Sequence, residues 1–186
     1  MPSIAIVALG VVEEDALATL ELSVWETFGF EIQRLPPQEN PEFAFDEERR
    51  QYSSEKILRS LLKEVRSDTV KLLGVTPVDM FIPMLSFVFG QAQLHGKVAA
   101  ISLARLRQEF YGLEPNRGVF LHRTAKEAIH ELGHTWGLTH CRDRSCPMAL
   151  ATNLQQLDRK TDELCTSCSI MLRETVRSLH RSGYRS

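Results

Sequence analysis

The sequence predicts an α/β fold with a largely parallel sheet and a hairpin at one edge. Apolar β-branched runs alternate with helical apolar patterns in the first part of the chain, two β-like runs then flank a His-Gly pair, and a third helical segment follows. At 186 residues the chain is long enough to bury a core without disulfides. Its composition, 43% hydrophobic and 25% charged, is that of a globular protein and excludes a disordered chain.

The first elements are a strand, a helix and a second strand. Residues 4–9 form a continuous apolar run, typical of a strand that is covered on both faces. Apolar residues at helical spacing over 17–28 predict an amphipathic helix. Alternating apolar residues over 30–35 predict the second strand, and the polar, proline-containing residues 36–46 are expected to form a surface loop.

A second helix and a third strand complete this unit. The apolar pattern of residues 57–65 predicts a helix, with Ser53 or Ser54 as its N-cap. Residues 78–83 are the predicted third strand. Two helices that each link two strands imply parallel pairing with right-handed crossovers.

The pattern changes after the third strand. Residues 87–94 and 98–103 predict a hairpin around His95 and Gly96, in which Gly96 could supply a positive φ. Residues 107–122 are expected to be irregular.

The third helix carries a candidate metal site. Thr124 and Glu127 fit a capping box and predict the start of the helix at Thr124. His130 and His134 are four residues apart, so both imidazoles lie on one face and can bind one zinc ion. Glu131 can lie beside the metal without binding it, which is the arrangement of zinc hydrolases.

The motif extends beyond the helix. Gly137 is placed to end the helix in a left-handed turn, so that the chain doubles back and brings His140 to the same metal. Three neutral ligands leave a fourth position open, as in catalytic zinc sites. A helix with merely packed histidines and a metal site without turnover are the alternatives. Met148 follows the third ligand and is expected to pack beneath the zinc without binding it.

Four cysteines follow, spaced as two close pairs: Cys141, Cys146, Cys165 and Cys168. This spacing suits a closed tetrahedral zinc site with a structural role. The chain shows no secretory signal and no apolar run long enough for a membrane span, so we expect a cytoplasmic location, where thiols stay reduced. Two disulfides and a redox Cys-x-x-Cys pair remain as alternatives.

Residues 130–168 resemble the archaemetzincins (archaelysins), a branch of the metzincin zinc peptidases. That family combines the extended histidine motif, a cysteine directly after the third histidine, a Cys-x-Met element and a closing Cys-x-x-Cys. The matching residues are His130, Glu131, His134, Gly137, His140, Cys141, Cys146, Met148, Cys165 and Cys168. Residues 87–92 and 101–106 also resemble the family.

The resemblance implies a compact metzincin-like domain over residues 1–186. Its mixed, twisted sheet of about five strands would end in an antiparallel edge strand above the cleft. Residues 1–122 would supply the sheet and helices, 123–140 the active-site helix and third ligand, and 141–186 a helical part stapled by zinc. Two zinc ions per chain are implied, a catalytic one on the three histidines and a structural one on the four cysteines.

The expected function is hydrolysis of peptide bonds, with Glu131 as general base. An extended substrate could pair with residues 87–91 at the sheet edge, although an ordinary strand is an equal alternative. The sequence leaves endopeptidase and aminopeptidase action open, and a non-catalytic zinc protein is the alternative function. The expected partner is a peptide or protein, with no membrane and no second protomer.

Nucleic-acid binding is a third class that the sequence disfavours. Arg173, Arg177 and Arg181 form a basic stripe on the predicted C-terminal helix, but such a stripe is more often a solvated face. The formal net charge of −2 offers no electrostatic attraction to a polyanion, so no nucleic-acid partner is expected.

Overall fold

A computed structural model describes the backbone of residues 2–182 and the side chains of residues 2–178. Its strands are β1 (Ser3–Ala8), β2 (Glu31–Arg34), β3 (Phe45–Asp46), β4 (Gln51–Ser53), β5 (Thr69–Thr76), β6 (Met80–Phe81), β7 (Gly90–Ala92) and β8 (Val98–Ser102). Its α-helices are α1 (Glu14–Phe28), α2 (Ser54–Glu64), α3 (Arg117–Thr135), α4 (Leu154–Asp158) and α5 (Thr166–Ser182).

The main sheet has five strands in the order β2-β1-β5-β8-β7. The first four are parallel, and β7 pairs antiparallel with β8 at the edge, with Gly90 opposite Ile101. The predicted α/β fold with a mixed sheet and an antiparallel edge strand is therefore confirmed. No helix in the described part of the chain is long and apolar enough to cross a membrane.

The side chains of β1 show how helices pack on both faces of the main sheet. Ile4 and Ile6 point to one face and pack with α1 and α3, whereas Ala5 and Val7 point to the other face and pack with α2. This alternation places α3, with its histidines, against the face of the sheet that also receives Trp136.

The third strand of the main sheet is β5, and the prediction of residues 78–83 was wrong. Met80 and Phe81 form the short β6 of a separate three-stranded sheet, order β3-β4-β6. The sequence pattern of β5 is broken by Lys71, which is nevertheless only 6% exposed. The Lys71 ammonium donates 2.7 Å hydrogen bonds to the carbonyl oxygens of Gly96 and Thr135, so tertiary contacts offset its charge.

The hairpin turn also differs from the prediction. The residue with positive φ is His95, at 56°, and not Gly96. The backbone N–H of His95 donates to the carbonyl of His134 at 3.1 Å, which ties the turn to the end of α3. The expected surface loop 36–46 contains a bridge between Gln38 and Leu9 and the short strand β3.

Helix α3 begins seven residues earlier than predicted. Asn116 is its N-cap, with Oδ1 accepting a hydrogen bond from the N–H of Val119 at 3.1 Å. Thr124 lies inside the helix and donates to the carbonyl of Phe120, so Thr124 and Glu127 do not form a capping box. An Asn cap satisfies the first N–H groups as well as a Thr cap does, and it allowed the helix to start in the region expected to be irregular.

Candidate metal centres

His130 and His134 lie on the inner face of α3, and backbone carbonyls fix the tautomer of each ring. His130 Nδ1 is 2.8 Å from the carbonyl oxygen of Pro147, and His134 Nδ1 is 2.7 Å from that of Leu138. A carbonyl only accepts, so each Nδ1 carries the proton and each Nε2 keeps its lone pair. Burial lowers the pKa of both rings, that of His130 strongly, so both are neutral.

The two Nε2 atoms face each other at 3.1 Å. Neither of them has a proton to donate, so the contact joins two lone pairs and calls for a cation between them. Zn–N bonds of 2.0–2.1 Å in a tetrahedral site would separate two ligand nitrogens by about 3.3 Å. The spacing therefore fits a zinc ion held by both imidazoles.

His140 reaches the same point because the chain reverses after α3. Gly137 has a φ of 89°, and the N–H of Leu138 donates to the carbonyl of Gly133. The right-handed helix α3 is thus terminated by a glycine in the left-handed conformation. The ring of His140 lies 5.4 Å from that of His130 and 5.0 Å from that of His134, between centroids. One ligand atom from each histidine lies within 4.8 Å of the other two.

Glu131 faces the cleft beside these histidines. Its side chain is 5% exposed and packs against Gly90 of β7, where a Cβ atom would lie 2.5 Å from Glu131 Cγ. Burial, and then the neighbouring Glu127, raise the pKa of Glu131 well above its ordinary value, while Lys160 lowers it. A carboxylate with a raised pKa is a stronger base than an exposed one.

Met148 is fully buried below α3. Its sulfur contacts the position where a Cβ on Gly133 would lie, so the helix and the segment after the cysteines approach closely at this point. The carbonyl of Met148 accepts a 2.9 Å hydrogen bond from the N–H of Cys141. The methionine therefore packs against Gly133 of the helix that carries His130 and His134.

The four cysteines form the second cluster: Cys141, Cys146, Cys165 and Cys168. All four are free thiols, and their sulfur atoms lie within 4.8 Å of one another. The Cys141 and Cys165 sulfurs are 3.7 Å apart, close to the roughly 3.8 Å between thiolates at 2.3 Å from one tetrahedral zinc. A disulfide would need a separation of about 2.05 Å, so the described geometry fits a metal better.

The cleft over the histidines has a volume of about 350 Å³. It is lined by residues 85–92, by the side chains of α3 that face it, by His140 and by residues 150–152. The edge strand itself spans only Gly90–Ala92, shorter than the predicted 87–91 and shifted toward the hairpin. Residues 87–89 still line the cleft and lead into the strand.

Two charged residues in this region were not recognised from the sequence. Glu127 is one helical turn before Glu131 and lines the cleft. Because the two residues are four positions apart, they share one face of the helix, and this spacing could have indicated that Glu127 faces the cleft. Lys160 is 4% exposed, and its Nζ donates at 3.0 Å to the carbonyl of Pro147 that also accepts from His130. Nothing in the local sequence marks Lys160, because its neighbours come from distant segments.

The histidines that the sequence left unassigned lie elsewhere. His95 packs its ring against Gly137, and His122 Nδ1 lies 2.9 Å from Asp162 on the surface. The side chains of His180 and of Arg181, in the predicted basic stripe, are outside the described residues.

The sequence of the chain is similar to those of known proteins. Residues 32–174 match the model of Peptidase family M54. The chain is 43% identical to the archaemetzincin of Methanocaldococcus jannaschii over 167 residues, covering 89% of each. It is 38% identical to the archaemetzincin of Pyrococcus abyssi over 189 residues, covering 98% of each.

Solved structures are similar over almost the whole chain. The crystal structure of archaemetzincin from Methanopyrus kandleri matches with a TM-score of 0.83 at 33% identity, covering 95% of this chain and 96% of that one. A zinc-dependent peptidase from Methanocorpusculum labreanum also matches with a TM-score of 0.83, at 29% identity, over 91% of this chain and all of that one.

Proposed function

The chain belongs to peptidase family M54, the archaemetzincins, and is a zinc metallopeptidase; we propose that it hydrolyses peptide bonds with Glu131 as general base. The observation that carries this proposal is the pair of facing Nε2 lone pairs on His130 and His134, with the Glu131 carboxylate beside them in one cleft. Peptides or proteins are the substrates of such an enzyme.

His130, His134 and His140 would hold the catalytic zinc in this proposal. When bound, zinc supplies a Lewis acid that polarises the scissile carbonyl and makes water more acidic. The carbonyls of Pro147 and Leu138 orient the imidazole rings of His130 and His134, so their Nε2 atoms are already positioned to bind the metal. The four cysteines would hold a second zinc, giving two ions per chain.

Glu131 moves the proton. Its buried carboxylate takes a proton from the attacking water and delivers it to the nitrogen of the leaving amine. The Gly90 contact keeps the carboxylate against the edge strand, where an extended peptide could add through main-chain hydrogen bonds. The reaction then needs no other titrating side chain.

The test is Glu131→Gln, assayed against a peptide library with the cleaved bonds identified by mass spectrometry. General acid–base catalysis contributes about 10² to 10⁴ in rate, so the variant should lose activity by that factor while keeping its zinc. Glu26→Gln, on the exposed side of α1, controls for the loss of one negative charge.

Two results would contradict the proposal. If the variant cleaves peptides as fast as the wild type, Glu131 is not the base. If the zinc-loaded wild type cleaves none of the library, the chain is a non-catalytic zinc protein.

A further inference from the structure

Glu127 is a buried carboxylate that the mechanism does not use. It is 4% exposed and lines the cleft. Among the described residues its oxygens make no hydrogen bond and no ion pair within 4 Å. Lys160 acts on it only electrostatically, while the ammonium itself is bound to the carbonyl of Pro147. A buried carboxylate without a direct partner is costly, so a donor from outside the chain would stabilise it.

The direction of a bound peptide follows from two contacts between the hairpin and α3. Gly90 lies against Glu131, and the N–H of His95 bonds to the carbonyl of His134. Strand β7 and helix α3 therefore run the same way past the cleft. A peptide pairing antiparallel with β7, the more stable arrangement, enters near His95 and leaves near residue 87.

Glu127 then lies on the C-terminal side of the scissile bond. It is one helical turn, about 5.4 Å, before Glu131 and on the side away from His134. Residues that follow the scissile bond pass this position, whereas the free amino group of an aminopeptidase substrate would lie at the opposite end, near His95.

The chemistry of the site indicates a long cationic side chain. Burial raises the pKa of Glu127 to about 7, and a cation bound beside it would favour the ionised form. An ionised carboxylate accepts hydrogen bonds only, and ammonium and guanidinium groups are its strongest donors. Because Glu127 is recessed, the donor must sit at the end of a long stem. The apolar cleft residues Phe87 and Leu150 offer surface for the methylene groups of such a stem.

We propose that Glu127 is a specificity residue that binds the lysine or arginine side chain of the substrate residue immediately after the scissile bond. This inference rests on the proposed function, since it takes the three histidines to mark the position of that bond.

A pair of succinyl hydroxamates tests the proposal without turnover. The hydroxamate binds the zinc and fixes the register, and the two compounds differ only in the next side chain, aminobutyl or butyl. The zinc-loaded wild type should bind the aminobutyl compound at least about tenfold more tightly, the factor expected for one charge-assisted hydrogen bond. Glu127→Gln should lose this preference, and Glu26→Gln should keep it.

Glu127→Asp provides a second variant, in case the amide does not fold. Its shorter side chain should weaken the binding of the aminobutyl compound and favour an aminopentyl one. The proposal is overturned if the wild type binds both first compounds equally or prefers butyl, if Glu127→Gln keeps the preference, or if Glu127→Asp leaves the preferred length unchanged.

The peptide library separates this failure from failure of the proposed function. If cleavage depends on Glu131 but the preference for a basic residue does not depend on Glu127, the proposed peptidase function stands and the specificity proposal fails. If the preference among the hydroxamates depends on Glu127 but no peptide is cleaved, the binding specificity stands and the proposed peptidase function fails.

Discussion

Gly90 brings the edge strand and the proposed general base into contact. A Cβ at this position would lie 2.5 Å from Glu131 Cγ, 2.8 Å from its Oε1 and 2.9 Å from the carbonyl oxygen of Ala100. The φ of Gly90 is not in the left-handed region, so lack of space and not backbone conformation requires glycine. No local sequence pattern marks this requirement, since it depends on a contact between β7 and α3.

Gly90→Ala should therefore displace Glu131 and reduce kcat. A misplacement of about 1 Å in a reacting group can cost about 10²-fold, and we expect a loss of that size with zinc content unchanged. The measurement is steady-state cleavage of a library-derived peptide, with metal analysis.

Gly118→Ala is the matched control for this substitution. Gly118 lies in the first turn of α3, and the nearest atom to an added Cβ is 3.8 Å away. Alanine there should leave kcat unchanged and stabilise the fold by roughly 0.5–1 kcal/mol, because alanine favours the helix. Equal activity of the two alanine variants would show that Gly90 does not position Glu131.

At the scale of elements, Lys71 joins β5 to the hairpin and to the end of α3. Its ammonium binds the carbonyls of Gly96 and Thr135 and lies 4.5 Å from the ring centre of Trp136. Burial, with a smaller contribution from Lys97, lowers the pKa of Lys71 to about 8. One side chain thus orients the elements that carry the cleft.

This contact predicts a specific pH dependence of stability. The pKa of Lys71 is lower in the folded chain, about 8, than its ordinary value of 10.5. Between these values the unfolded chain binds more protons, so the folded state gains stability as the pH rises. Relative to Lys71→Met, the wild type should gain on the order of 2 kcal/mol between pH 7.5 and 10, since water screens part of the burial cost.

Urea denaturation of both zinc-loaded proteins at several pH values measures this difference. Lys63→Met, at an exposed site on α2, controls for the loss of a positive charge and should follow the wild type. Parallel stability profiles for the wild type and Lys71→Met would rule out the shift.

Some of these elements could be predicted from the sequence alone. Strands β1 and β8 and the amphipathic helices were found because their local patterns match their burial. Strand β5 was missed because the charge of Lys71 is offset only by distant carbonyls. The turn was assigned to Gly96, whereas His95 is held at positive φ by its bond to His134, a contact absent from the local sequence.

Across the whole molecule, the local sequence was most informative for the histidine and cysteine clusters, whose residues the structure brings together. The residues of both clusters come from short motifs in which spacing dictates geometry: one helical face, one glycine reversal and two close cysteine pairs. Glu127 and Lys160 were not recognised, because their role depends on which segments surround the cleft. The two clusters also adjoin, since Cys141 directly follows His140 and is paired with Met148 through its N–H.

This adjacency predicts that damage to the cysteine site spreads to the histidine site. Cys165→Ser should release about one zinc per chain and lower the melting temperature, because a structural zinc contributes directly to folding. The segment 141–149 would lose an anchor, so His140 would be held less firmly and the remaining zinc should leave at a lower chelator concentration than in the wild type. Zinc analysis and thermal unfolding across a chelator titration measure both effects.

Ser167→Ala, two residues away and exposed, should behave as the wild type. Unchanged zinc content and melting temperature in Cys165→Ser would refute the four-cysteine site, and a loss of one zinc with normal retention of the other would refute the coupling.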